Sequence, residues 1–249
     1  MIQTADHGRV RELRLDRPPA NAFNPALVTE LTEAVRRAPG AGAHAIVVSG
    51  APGMFTGGLD VPELLELGRD EIRAFWQGFY RLLRTVAASD VPVAAAITGH
   101  SPAAGAVLAV FCDHRVMADG PFKIGMNEVQ VGLSVPLPLQ YALKRLTGPR
   151  AGDALLIAGA LVTPAEARSV GLVDDVAAPE EVVPRAIAWA ERLIALPQAA
   201  MRDTRRIARA DLVEQFDGLD AASYDRVTER WFGEETQATM RALVARLRR

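Results

Sequence analysis

The sequence predicts an α/β protein closed by a helical third. Three observations carry that reading. Short apolar or alternating runs recur up to about residue 130, a stretch with helical spacing follows most of them, and from residue 136 onward helical patterns dominate.

Taken in order, residues 9–15 alternate polar and apolar side chains and read as a half-buried strand ended by Asp16-Arg-Pro-Pro. Asn24-Pro25 has the form of a helix N-cap followed by proline at the first helical position. Leu27, Leu31, Ala34 and Val35 then recur at helical spacing until Pro39-Gly40 stops them. Residues 45–49 form a short apolar run, the pattern of a buried strand. Residues 50–60 hold four glycines and a proline in eleven positions, which predicts a shaped loop. Helical spacing returns over 61–67 and 70–88. Residues 91–97 read as a third strand with proline near its start. A small-residue turn, a helix over 102–112, and short strands at 115–118 and 122–124 follow. The remaining helices are expected at 136–147, 150–158, 164–169, 180–195, 198–209 and, with breaks, 211–247. A last short strand is expected at 173–176. The strand–turn–helix rhythm near residues 10, 45, 92 and 115 hints at a quasi-repeating spiral.

Composition narrows the function classes. The chain has 249 residues, enough for one large domain or a domain with a small appendage. Its hydrophobic content of 49% and charged content of 23% are those of a soluble globular protein. A net charge of −2 offers no basic surface for nucleic acid or an anionic membrane. No apolar stretch approaches the ~20 residues that span a bilayer. The N-terminal residues lack the pattern of a signal peptide, so the expected location is the cytoplasm. Cys112 is the only cysteine, which excludes an intrachain disulfide and fits a reducing compartment. It lies in the apolar run Leu-Ala-Val-Phe-Cys, where a small buried residue is the plainer reading than a nucleophile.

One carboxylate stands out. Across residues 89–160 the acids are Asp90, Asp113, Asp119, Glu128 and Asp153, and Glu128 is the only glutamate. It lies among apolar and small residues, where a carboxyl is driven toward a raised pKa and can act as a base near neutral pH. Upstream, Ser101-Pro-Ala-Ala-Gly-Ala opens a helix whose first N–H groups lack internal partners. An N–H near Ala104 could meet a developing oxyanion, although the same small residues also permit tight helix–strand packing. Gly57-Gly58-Leu59 supplies a second set of main-chain donors. Neither a P-loop nor a Rossmann glycine pattern is present, and no metal ligand set is assigned.

These segments together resemble the crotonase (enoyl-CoA hydratase/isomerase) superfamily over essentially the whole chain. The matching pieces are Asp16-Arg-Pro-Pro-Ala-Asn-Ala-Phe-Asn, Phe55-Thr-Gly-Gly-Leu-Asp, Pro92-Val-Ala-Ala-Ala-Ile-Thr-Gly-His, Cys112-Asp-His-Arg-Val-Met-Ala-Asp, Asn127-Glu-Val-Gln-Val-Gly-Leu and Thr163-Pro-Ala-Glu-Ala-Arg-Ser-Val-Gly-Leu-Val-Asp. The resemblance implies a crotonase-like spiral of ββα units over 1–195 and a helical trimerisation region over 196–249. It implies a homotrimer or dimer of trimers, and an acyl-CoA thioester as substrate with no separate cofactor. It implies an oxyanion hole made by the N–H groups of Leu59 and Ala104. It also implies a path for coenzyme A along Ala20, Ala22, Thr56 and Gly57, with Arg17 near phosphate.

The sequence departs from the hydratase pattern at one place. Hydratases of the superfamily carry two glutamates, and the first falls here on Val107, which cannot exchange a proton. The single remaining glutamate resembles the mitochondrial-type Δ3,Δ2-enoyl-CoA isomerases. That resemblance implies that Glu128 shifts a proton from C2 to C4 of a 3-enoyl-CoA in fatty acid oxidation. Ala104 stands where the superfamily usually has glycine; alanine keeps the N–H and adds a methyl group. Residual hydratase or hydrolase chemistry and a catalytically weak acyl-CoA-binding subunit are the alternatives. His100 and His114 are the other titratable groups nearby, and His100 is expected to have a structural or packing role.

Overall fold

A computed structural model describes residues 1–247. Positions 248–249, the end of the expected trimerisation region, lie outside the described residues. The main sheet has six strands: β1 (Ile2–His7), β2 (Val10–Leu15), β3 (Ala45–Ser49), β5 (Val93–Ile97), β7 (His114–Ala118) and β9 (Asp175–Ala177), adjacent in that order. β1 pairs antiparallel with β2, and every later pairing is parallel. β3 and β5 are buried at every position, as strands covered on both faces must be. A smaller parallel sheet joins β4 (Gly53–Met54), β6 (Gly99–Pro102) and β8 (Ile124–Gly125).

The two sheets alternate along the chain. β3 leads into β4, then into helices α2 (Val61–Leu64) and α3 (Arg69–Ala87). β5 leads into β6 and α4 (Ala104–Val110), and β7 into β8 and, after a short 3₁₀ turn, α5 (Leu137–Thr147). Each ββα turn therefore adds one strand to each sheet, which is the expected spiral.

Helix α1 (Pro25–Arg37) starts where the sequence predicts, with the Asn24 side chain accepting from the Leu27 N–H at 2.8 Å. α3 buries Ile72, Phe75, Trp76, Phe79, Leu82, Leu83 and Val86, a stripe at helical spacing that faces the core. After α6 (Pro149–Ala158) and α7 (Pro164–Ser169), α8 (Val182–Ile194) packs on the main sheet through Val182, Ala186 and Ala190. The remaining helices are α9 (Gln198–Ala208), α10 (Ala210–Asp217), α11 (Ala221–Trp231) and α12 (Glu234–Leu247). α10 and α11 lie against α3, and α12 lies against α2 and the turn that carries Glu128. No described helix is long and apolar enough to cross a membrane.

Several sequence expectations need correction. β1 was not foreseen because it is an edge strand with only Ile2 half-buried, so it shows no alternation. The small-residue turn at 99–102 is a strand, held between β4 and β8 by main-chain pairing that side chains do not announce. A Cβ at Gly99 would collide with the Gly53 carbonyl, so glycine is what lets those two strands meet. The strand expected at 122–124 begins only at Ile124. The last strand slips to Asp175–Ala177, because the Leu172 N–H and Val173 N–H turn back to the Ala167 carbonyl.

Candidate active site

Two loops zip together to build one side of the site. Segment 16–24 crosses segment 55–60 by main-chain bonds: the Gly57 N–H donates to the Ala20 carbonyl at 2.7 Å, and the Phe23 N–H donates to the Gly58 carbonyl at 2.7 Å. The Asp60 N–H returns to the Phe23 carbonyl at 2.9 Å. Phe23 thus bonds to the residues on either side of Leu59. In a parallel bridge that alternation turns the N–H of Leu59 itself away from Phe23. Gly58 has φ +93°, and a Cβ built on it would lie 3.9 Å from the Ala104 nitrogen. That close approach brings the Leu59 loop beside the start of α4.

The start of α4 is strained. Ala103, the residue before the helix, has φ 45° and ψ −115°. An alanine in that region costs on the order of 1–3 kcal/mol. It is pinned on both sides: its N–H donates to the Gly125 carbonyl at 2.8 Å and its carbonyl accepts from the Val107 N–H at 2.9 Å. Among the described residues, neither the Leu59 nor the Ala104 N–H donates to another backbone group.

Glu128 arrives from a different turn of the spiral. It opens the 3₁₀ turn Glu128–Val131 that follows β8. The turn is held by the Leu133 N–H on the Glu128 carbonyl at 3.0 Å, and by Thr236 of α12, whose hydroxyl donates to the Gly132 carbonyl at 2.7 Å. Glu128 Oε2 is buried without a hydrogen-bond partner. Burial pushes its carboxyl from an ordinary 4.5 up to about 7.

Glu128, Leu59, Ala104 and Gly57 line one cavity of about 300 Å³. The remaining wall is mostly apolar, with Val61, Trp76, Phe79, Leu133, Leu139, Val227, Met240 and Leu243, and Tyr80, Asn127 and Ser134 are its polar members. Glu128 is its only acidic lining residue among the described residues. Burial raises the Tyr80 hydroxyl above its ordinary range, so it remains a neutral phenol. One carboxyl poised near neutrality and two amides without main-chain partners beside a mostly apolar cavity can take up a proton from carbon and hold a developing oxyanion.

The other residues singled out in the sequence lie beside the cavity. The Arg17 guanidinium pairs with Asp60 at 2.6 Å and Glu63 at 2.9 Å, and donates to the Ala22 carbonyl at 3.1 Å. Thr56 is buried, its hydroxyl donating to the Asn21 carbonyl at 2.8 Å and accepting from the Gly58 N–H at 3.1 Å. Ala20, Ala22 and Thr56 therefore belong to the bracket that fixes the Gly57–Leu59 loop. Val107 is 1% exposed and packs in the core. His100 accepts from the Lys123 N–H through Nδ1 at 3.2 Å, and His114 stacks on Trp189 at 4.8 Å. Both histidines have packing roles. No group of three or more His, Cys, Asp or Glu side chains among the described residues is placed to hold a metal ion.

Sequence reasoning missed the wall supplied by α11 and α12 and the bracket role of Asn21. Met240 and Leu243 stand three residues apart on α12, a spacing that signals a shared face but not its partner. Asn21, 3% exposed at φ 51°, accepts from the Arg17 N–H at 2.8 Å and donates to the Phe55 carbonyl at 3.2 Å. An asparagine followed by Ala-Phe gave no such sign.

The spiral of ββα units with its closing helices is the crotonase fold. The family description "Enoyl-CoA hydratase/isomerase" matches residues 6–235, and the chain belongs to that family. Human "Enoyl-CoA delta isomerase 1, mitochondrial" is 32% identical over 203 residues, covering 80% of this chain and 67% of the relative. "Probable enoyl-CoA hydratase EchA17" of Mycobacterium tuberculosis is 34% identical over 193 residues, covering 76% of this chain and 72% of the relative. The solved structure of human mitochondrial delta3-delta2-enoyl-CoA isomerase superposes with a TM-score of 0.94 at 27% identity, over 99% of this chain and 98% of that one.

Proposed function

We propose that this protein is a Δ3,Δ2-enoyl-CoA isomerase of fatty acid oxidation. One observation carries the reading: among the described residues the cavity has a single acidic lining residue, Glu128. By the family resemblance, Val107, buried in the core, stands where hydratases bear a second glutamate. Adding water across a double bond calls for two proton-handling groups. Moving the double bond calls for one.

The thioester oxygen of a 3-enoyl-CoA accepts from the Leu59 and Ala104 N–H groups. Each such donor is typically worth ~3 kcal/mol on a developing oxyanion. Glu128 takes a proton from C2, and the electron pair of that C–H bond moves through the C1 carbon onto the thioester oxygen. The dienolate collapses with protonation at C4 by the same carboxyl, leaving the double bond between C2 and C3. Atoms and charge balance, and no separate cofactor enters; coenzyme A is part of the substrate. The coenzyme A arm passes along the bracket of Ala20, Ala22, Thr56 and Gly57. Arg17 reaches phosphate there only while shared with Asp60 and Glu63.

A homotrimer or dimer of trimers built through residues 196–249 is part of the proposal. It is supported by the exposed apolar side chains Leu196 and Ile207 in that region, at 47% and 66% exposure. Light scattering on the purified protein tests it. A cytoplasmic location is supported by the buried, unpaired Cys112.

The activity is tested by mixing purified protein with 3-hexenoyl-CoA and following the absorbance of the conjugated 2-enoyl thioester. Glu128→Gln is expected to lower kcat by at least about 100-fold. A Gln variant as active as the wild type would remove Glu128 from the mechanism.

A further inference from the structure

The cavity that holds Glu128 has a neighbour. Tyr80, Ser134 and Val227 line it, and the same three residues line a second cavity of about 560 Å³. The two spaces therefore share a wall drawn from three parts of the fold: α3, the segment before α5, and α11.

The wall is held firmly at one point and lightly at another. The Tyr80 ring is 3% exposed and hemmed in by Trp76 at 6.4 Å, Phe216 at 6.4 Å and Tyr224 at 5.9 Å between ring centroids. Val227, a smaller aliphatic side chain that lines both cavities, is 9% exposed. On the far side the second cavity offers further apolar surface, Pro136, Leu137, Pro138 and Leu219, beside polar and charged side chains that include Glu214, Arg226 and Arg230. An apolar chain that passed the wall would find more surface to bury.

We propose that Tyr80 and Val227 form a partition that sets the acyl chain length this enzyme accepts, confining it to 3-enoyl thioesters whose tails end within the first cavity. The proposal rests on the isomerase reading of the site for its substrate, and on the geometry of the two cavities for its limit. Each methylene withdrawn from water strengthens binding by about fourfold. A breach that admits several more carbons is therefore worth well over tenfold to a long chain and little to a short one.

The test compares wild type, Val227→Ala and Val227→Phe on 3-hexenoyl-CoA and 3-hexadecenoyl-CoA. The same proteins are titrated calorimetrically with the saturated thioesters hexanoyl-CoA and palmitoyl-CoA, which read the partition without turnover. The wild type is expected to prefer the six-carbon thioester in both assays. Val227→Ala should raise the long-to-short ratio of kcat/KM, and of affinity, by at least tenfold, and Val227→Phe should lower it. A wild type that already prefers the sixteen-carbon thioester, or a Val227→Ala ratio within threefold of wild type, overturns the partition even if isomerisation is robust. A calorimetric ratio that shifts as stated while no protein isomerises either substrate upholds the partition and sinks the isomerase reading instead.

Discussion

Arg205 grips Asp113 with two nitrogens on one carboxylate oxygen, Nε at 3.0 Å and Nη2 at 2.8 Å, across 92 residues of chain. The same oxygen accepts from the Val93 N–H at 2.7 Å, and Arg209 reaches the other oxygen at 3.2 Å. Arg205 lies on α9 and Arg209 just beyond it, so one aspartate fastens the helical third of the molecule to the start of β5. Arg205 and Asp113 are only 9% and 11% exposed. Removing one partner of such a pair strands buried charge at a cost of about 3–5 kcal/mol. Asp113→Ala is expected to lose that much in urea unfolding, and Asp113→Asn less. A loss under about 1 kcal/mol would mean that the cluster is decoration.

The buried carboxyl of Glu128 predicts opposite pH trends for activity and stability. The base form is the carboxylate, so kcat/KM should climb as pH rises through about 7 and then level. Between the ordinary 4.5 and about 7 the folded protein holds a proton that the unfolded chain has released. Glu128 therefore subtracts stability as pH rises through that window, by about 3 kcal/mol in full above it. Glu128→Gln should be more stable than wild type at pH 8 and no different near pH 4. Parallel unfolding curves at the two pH values check it, and equal gaps at both would refute the burial argument.

Gly58 is a position where a single methyl group should harm the site in particular. At φ +93° any side chain is strained, and a Cβ would press on the Pro102 carbonyl at 3.3 Å and the Ala103 Cβ at 3.4 Å. Gly58→Ala is expected to lower Tm by roughly 2–10 °C and kcat/KM by at least about tenfold, since it pries apart the loops carrying Leu59 and Ala104. Gly40→Ala, which meets nothing within 4 Å, is the matched control and should be neutral in both assays.

Cys112 is expected to be silent. It is 1% exposed, and burial pushes its thiol up to about 12. A thiol-reactive probe should label the native protein negligibly and the urea-unfolded protein stoichiometrically. Rapid labelling of the folded form would contradict its place in the core.

Much of the fold was legible because burial leaves periodic marks. The stripe on α3 and the solid apolar runs of β3 and β5 are such marks. So is the Asn24 cap, a side chain with one local job. The strands that escaped notice, β1, β4 and β6, are held by main-chain pairing at an edge or beside glycine, where no side-chain period exists. The site divides the same way. Glu128 was visible as a lone acid in apolar company, but the strain at Ala103 was not, because its φ follows from contacts with Gly125 and Val107 rather than from being alanine. The resemblance implies a place near phosphate for Arg17. Only its neighbours Asp60 and Glu63, distant in sequence, reveal how its charge is engaged.

The bridge between Phe23 and Leu59 has a consequence for how such a site drifts over time. The Leu59 and Ala104 amides belong to the main chain, and the residues beside them are held by other main-chain bonds. Replacing the side chains of Leu59 or Ala104 leaves the N–H groups where they are, and proline is the one residue that deletes them. On the proposed mechanism, two of the three reacting groups are thus shielded from most single-codon changes, and Glu128 is the one whose side chain carries the chemistry. A lineage can rewrite most of its letters around that glutamate, and the two donors survive without being spelled by any of them.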